Sequence, residues 1–164
     1  MKAKIIVLFL VFVLIMNLLC ACDNSSVSDK SDLEQDFILV YKGVEIVPGA
    51  EMAPVKEALG EPTSYYESIS CAFEGMDKIY TYGSIQITTY TEKDVDYIYT
   101  IVLLDDGIAT PEGIYIGSDV LNVISAYGEM ELEQNVVIYT QGNTSITLGF
   151  RDGVVVSITY TAII

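Results

Sequence analysis

The sequence contains no histidine and no tryptophan, only three cysteines, and only eight Lys or Arg residues against 23 Asp or Glu. Without His, neither a Ser-His-Asp triad nor a Cys-His pair can be assembled, and the chain has no G-x-S-x-G elbow. Zn2+ and other borderline metals lose their usual nitrogen ligand. A Ser–Lys pair stays open on residue types, but the few lysines sit in solvent-type contexts. Paired carboxylates such as Asp94 and Asp96 have the chemistry for acid–base work, yet so acidic a chain produces such pairs by chance. The sequence therefore reads as a non-enzyme. The shortage of cations has its own consequence. A net charge of −15 is repelled by nucleic acid and by anionic headgroups, which argues against DNA binding and against flat docking on a bilayer. Any electrostatically steered partner should be a basic protein or a divalent cation.

The N-terminus is of another kind. Lys2 and Lys4 precede an apolar run from Ile5 to Leu19 interrupted only by Asn17, and the run closes on Leu19-Cys20-Ala21-Cys22. It is short for a membrane span but suits a secretory leader. Leu-x-Ala-Cys resembles the bacterial lipobox, in which the final Cys receives a diacylglyceryl thioether and becomes the first mature residue. The expected organisation is a leader at 1–21, covalent diacylglycerol on Cys22 with no other cofactor, and a location on the outer face of the bacterial cytoplasmic membrane. The membrane is met through that anchor only. Loss of Lys2 and Lys4 with the leader takes the mature charge to about −17.

Residues 22–35 are polar and nearly without apolar anchors, which reads as a disordered tether with a reach of roughly 20 Å. With Cys20 removed and Cys22 acylated, Cys71 has no intramolecular partner, so no disulfide framework exists. Its strand-like neighbours, Ser70, Ala72 and Phe73, predict a buried structural thiol.

Beyond the tether the chain carries a duplication. Residues 49–61 align with 117–129: two glycines eleven residues apart bracket Met52/Val120, Val55/Val123, Ala58/Ala126 and Leu59/Tyr127 at helical spacing. Gly60 and Gly128 suit helix C-terminal caps, Ser118 or Asp119 an N-cap, and Pro54 must fall in a first turn. Strands follow each helix, with Ile79–Gly83 matching Ile138–Gly142 and Tyr99–Ile101 matching Val156–Ile158. Residues 63–78 account for most of the extra length of the first copy. They predict an added strand around Glu67–Phe73 and a turn at Glu74–Met76. Asp105 through Pro111 connects the copies. A three-residue loop, Arg151–Gly153, is expected to pair Phe150 with Val154 and bring the apolar faces of the last two strands together. The fold class predicted is α+β, with repeats at 36–106 and 107–164 forming one compact unit.

These residues carry a resemblance. The Gly-(x)5-Val-(x)4-Gly-Glu helix, the Tyr-x-x-Gly strand and the closing hairpin resemble the repeat of β-lactamase-inhibitor-like (BLIP-like) proteins and of small outer-membrane-assembly lipoproteins. The string from Ser70-Cys71-Ala72-Phe73 to Tyr82, with Thr110–Gly117, is similar to a family of uncharacterised Gram-positive lipoproteins with two such repeats. The resemblance covers about residues 40–162. It implies a concave antiparallel sheet with helices on the other face, and in the inhibitors that sheet surface grips another protein. It implies no catalytic residues.

The candidate site follows from the strand pattern. Twelve tyrosines with no Trp suit a contact surface, though Tyr is also a good strand former. Alternation with Ile85, Ile87 and Thr89 puts Gln86, Thr88 and Tyr90 on the exposed sheet face, where Thr100, Thr147 and Thr159 join them. Tyr97 and Tyr99 are expected on the core face with Ile101. The expected function is protein binding through the exposed face. The alternative is Ca2+ or small-ligand binding, for which Asp94, Asp96, Asp105 and Asp106 supply hard oxygens without EF-hand spacing.

Overall fold

The computed structural model describes residues 35–71, 75–129 and 131–164. The expected leader, Cys22 and the tether through residue 34 lie outside them. Leu33–Ile164 forms one compact unit that carries the whole described core.

Two short strands, β1 (Leu39–Tyr41) and β2 (Val44–Ile46), open this unit as a hairpin that the sequence pattern did not reveal. Helix α1 (Met52–Leu59) follows, then strands β3 (Ser64–Ile69), β4 (Met76–Tyr82), β5 (Ile85–Glu92) and β6 (Val95–Leu103). Helix α2 (Val120–Tyr127) precedes β7 (Val136–Gln141), β8 (Thr144–Arg151) and β9 (Val154–Ala162). The seven long strands form one antiparallel sheet in the order β3-β4-β5-β6-β9-β8-β7. The class is α+β. Two meanders meet at its centre, where β6 pairs with β9.

Each helix buries one stripe on the sheet: Met52 and Val55 from α1, Val123 from α2. Ala58, expected in that stripe, is exposed. Pro54 lies in the first turn of α1, where its missing N–H has no partner to lose. The Asp119 side chain accepts the Leu121 N–H at 2.8 Å and caps α2. Both helices stop at a glycine, Gly60 (φ 75°) and Gly128 (φ 94°), whose backbone no β-carbon residue adopts cheaply. Beneath the helices lie Ile85, Ile87, Ile98 and Ile101 of one meander and Ile146, Leu148, Ile158 and Tyr160 of the other, all fully buried. Each such aliphatic contributes about 1.5–3 kcal/mol of burial.

Four expectations are corrected. The Arg151–Gly153 loop is instead a two-residue turn, Asp152 (φ 53°) and Gly153 (φ 81°), with Arg151 paired to Val154. Phe150 therefore faces Val155, and a bulge between Gly149 and Phe150 absorbs Val156. The bulge brings Val155 into the core and leaves Val154 and Val156 exposed, so the apolar faces meet by a different device. The same device operates at the Lys93–Asp94 turn, where a shift between Thr88 and Thr89 leaves Tyr99 as the extra residue. Ile98 takes the core position, and Tyr97 pairs with Tyr90 on the opposite face, so neither Tyr97 nor Tyr99 lies with Ile101. Strand β3 begins earlier than expected and ends at Ile69, while residues 72–74 lie outside the description. Cys71, just past that strand, is exposed rather than buried. Part of the expected connector also has structure, since Ala109 bridges Tyr115 ahead of α2.

Candidate functional site

With both helices on the core side, the opposite face of the sheet has its own composition. Pairing registers define two rungs that cross all seven strands. One runs Ser64–Thr81–Gln86–Val102–Thr159–Thr147–Ile138. Its neighbour runs Tyr66–Ile79–Thr88–Thr100–Thr161–Ser145–Thr140. Neither contains a charged residue, although 19% of the chain is charged. Hydroxyl-bearing side chains dominate both. Gln86, Thr88, Thr100, Thr147 and Thr159 lie on these rungs, each half-buried by its neighbours.

Tyr90 extends the face at the turn end of the first meander. Its ring stacks on Tyr97 at 5.6 Å between centroids and meets Tyr99 edge-on at 6.4 Å. Burial raises the Tyr90 phenol above its ordinary value, helped by the Glu92 carboxylate. The sequence reading placed Tyr90 on this side and missed the two rings beside it, because both lie past the bulge. It also missed Thr81, Thr161, Ser145 and Thr140, which register alone identifies.

The acidic residues considered for Ca2+ are not gathered. Asp96 is held by Lys78 at 2.7 Å and receives the Thr91 hydroxyl at 2.7 Å, bracing β4, β5 and β6. That carboxylate also raises the Lys78 ammonium above its ordinary value, partly opposed by burial. Asp94 is in the two-residue turn, and Asp105 folds back to accept the Gly107 N–H at 2.9 Å, with Asp106 exposed beside it. Among the described residues no three His, Cys, Asp or Glu side chains converge as metal ligands. None of them forms a helix long and apolar enough to cross a membrane.

A separate polar chain lies beside α2. Tyr127 Oη is 2.8 Å from Thr110 Oγ1 and 2.7 Å from Glu112 Oε2. A phenol has one proton, so Tyr127 donates to the carboxylate while the Thr110 hydroxyl donates to Tyr127. Phe37 meets the Tyr127 ring edge-on and Tyr139 stacks on it at 5.1 Å. The neighbouring Tyr160 is fully buried and its hydroxyl makes no hydrogen bond. Burial pushes both phenols well above the ordinary tyrosine range.

The chain thus presents an antiparallel sheet with one covered face and one open, hydroxyl-rich face whose two named rungs hold no charge, while Asp77 and Glu92 flank its Tyr90 end. No protein-family model, curated protein or solved structure matches it.

Proposed function

We propose that this is a membrane-anchored extracytoplasmic lipoprotein, non-enzymatic, whose domain binds a partner protein through the open sheet face. One observation carries the reading: two rungs spanning seven strands hold no charge in a chain of net charge −15. A surface under selection only for solubility would share in the acid. Interface cores are instead depleted in charge, as the two rungs are, and enriched in tyrosine, which the Tyr90–Tyr97–Tyr99 cluster supplies at one end of this face. Gln86, Thr88, Tyr90, Thr100, Thr147 and Thr159 are the proposed contact residues. The anchor is the diacylglyceryl thioether at Cys22, and two acyl chains suffice for stable attachment where one is marginal.

The proposed architecture is a tandem of BLIP-like repeats. In its favour, hairpins β5–β6 and β8–β9 have identical dimensions, eight residues, a two-residue turn and nine residues. Each helix is eight residues long, and the segment before it pairs with the last strand of its own meander, Glu51 with Tyr97 and Asp119 with Val154. By hairpin position Ile101 corresponds to Tyr160, not to Ile158, since each is seventh in its strand and pairs with the third residue of the strand before, Ile87 and Ile146.

The test is site-specific photocrosslinking in producing cells, with the reactive side chain at Thr88, at Thr100 or at Lys56 on α1. The reading expects one partner band from Thr88 and Thr100, none from Lys56, and loss of the band when Tyr90→Ala and Thr147→Lys are combined. Equal crosslinking from Lys56 would overturn it.

A further inference from the structure

The two ends of the sheet differ. Edge strand β3 carries Glu67 in mid-strand, the kind of charge by which edges resist pairing. Edge strand β7, Val136-Val137-Ile138-Tyr139-Thr140-Gln141, carries no charge and no proline. Its backbone is also prepared for a neighbour. Val136 exchanges two hydrogen bonds with Glu133, 3.0 and 2.9 Å, on the side away from β8. Alternation along a strand then directs the N–H and C=O of Ile138 and Thr140 to that same outer side. Among the described residues none pairs with either of them on that outer side. The Glu133–Val136 pair closes a two-residue turn at Gln134–Asn135, and among the described residues no further outer pair follows it.

A cavity lies on each face of this edge. On the open side, about 460 Å³ is lined by Glu131, Glu133, Gln134, Val136 and Ile138. On the helix side, about 390 Å³ is lined by residues that include Glu112, Tyr127, Tyr139, Gln141 and Phe37. Both contain carboxylates and neither is lined by Lys or Arg. A strand added to β7 sends successive side chains to opposite faces, so neighbouring residues of such a strand would enter the two cavities in turn.

We infer that β7 is a strand-addition site for an extended basic segment of a partner protein. The added strand continues the pairing begun at Glu133 along Ile138 and Thr140. The residue opposite Ile138 lies over the Glu131–Glu133 cavity, where a lysine or arginine meets two carboxylates. The next residue, opposite Tyr139, enters the helix-side cavity. There an arginine pairs with Glu112 and lays its guanidinium against the tyrosine rings. Backbone bonds supply the affinity and the two cavities select the sequence, the division of labour typical of strand addition. The site lies at the β7 end of the open face and shares Ile138 and Thr140 with its rungs, but it uses none of the six proposed contact residues of that face, so either reading can fail without the other.

The probe is an acetylated, amidated heptapeptide with a central Arg-Arg pair flanked by valine and threonine, added to the Leu33–Ile164 unit. Amide hydrogen exchange should slow about ten-fold at Ile138 and Thr140 on saturation. The same peptide with Glu-Glu should give no slowing. Thr140→Pro removes the outward N–H at a position where edge strands tolerate proline, so it should abolish binding while leaving the melting temperature unchanged. Glu112→Gln and Glu133→Gln, which retain hydrogen-bonding groups, should each weaken binding about five-fold. Thr88→Lys should leave it intact. Absence of binding at millimolar peptide, binding without protection at Ile138 and Thr140, or equal binding of the Glu-Glu peptide each overturns the inference.

Discussion

Alkali should unfold this protein more steeply than acid-rich composition alone suggests. Burial is the main cause that raises the Tyr127 and Tyr160 phenols, and Glu112 adds to both shifts. Below pH about 10 both groups are protonated in folded and unfolded chains alike, so their contribution to stability is fully present. Above that pH the unfolded chain releases protons that the folded chain retains, and stability declines until the folded values are passed. Each group costs about 1.4 kcal/mol per pH unit in this window, and the pair about 3 kcal/mol. A domain holding about 6 kcal/mol at neutrality would reach its midpoint near pH 12. Tyr80, Tyr82 and Tyr139, raised chiefly by burial, steepen the decline, and Lys78, raised by Asp96, loses its contribution on the same side. Phenolate absorbance recorded beside far-ultraviolet circular dichroism gives the answer. The phenols that burial raises should ionise together with loss of the sheet signal. If all twelve ionise smoothly about pH 10 while the sheet persists, the burial argument is wrong.

Three further outcomes are expected. Tyr160→Phe removes a fully buried hydroxyl that has no partner, so it should raise stability by about 1 kcal/mol and flatten the alkaline decline. A lowered urea midpoint would show that Thr110 serves that hydroxyl in solution. Asp119→Ala deletes the cap of α2 and should cost about 1 kcal/mol, measured as a shift of urea midpoint at constant slope. Cys22→Ala should abolish metabolic labelling with radioactive palmitate and release the protein from the membrane fraction. Unchanged labelling would refute the proposed anchor.

The α+β class, both helices and the hairpin strands were legible because apolar periodicity carries them. Gly60 and Gly128 mark the helix ends, and Ile85 and Ile87, like Ile146 and Leu148, mark a strand face. What was not legible follows from the bulges. A two-residue turn at Asp152–Gly153 is the ordinary reading of Asp-Gly between strands, but under strict alternation it pairs Phe150 with Val155 and sets the apolar faces of the two strands apart. Accepting the turn forces an extra residue into β9, and Val156 is that residue. Tyr97 and Tyr99 were misplaced for the same reason, since alternation counted back from Ile101 changes parity at the bulge. The exposure of Cys71 was hidden by its strand-like neighbours, because β3 ends at Ile69 and leaves the thiol beyond the sheet. Gln86 and Thr88 were placed correctly because β5 keeps strict alternation there. The β7 edge was not legible at all, for strand order depends on β6 meeting β9, a contact that no local pattern encodes.

Two uncharged rungs on an open sheet face and an uncharged edge strand are liabilities in any protein exposed to other copies of itself. Here the acid placed elsewhere offsets them. Two molecules approaching with −15 each repel before a face or an edge can pair, and none of the few cations of the described residues, Lys42, Lys56, Lys78, Lys93 and Arg151, lines either cavity at β7. The same field attracts a basic partner. Net charge then acts as a filter, refusing self-association while admitting the one kind of chain that the Glu112 and Glu131–Glu133 cavities suit. Screening sets the test of that logic. At salt near 1 M the Debye length falls to about 3 Å, so self-association of the Leu33–Ile164 unit should rise as binding of the Arg-Arg peptide falls. A common direction for both would show that charge does not separate them.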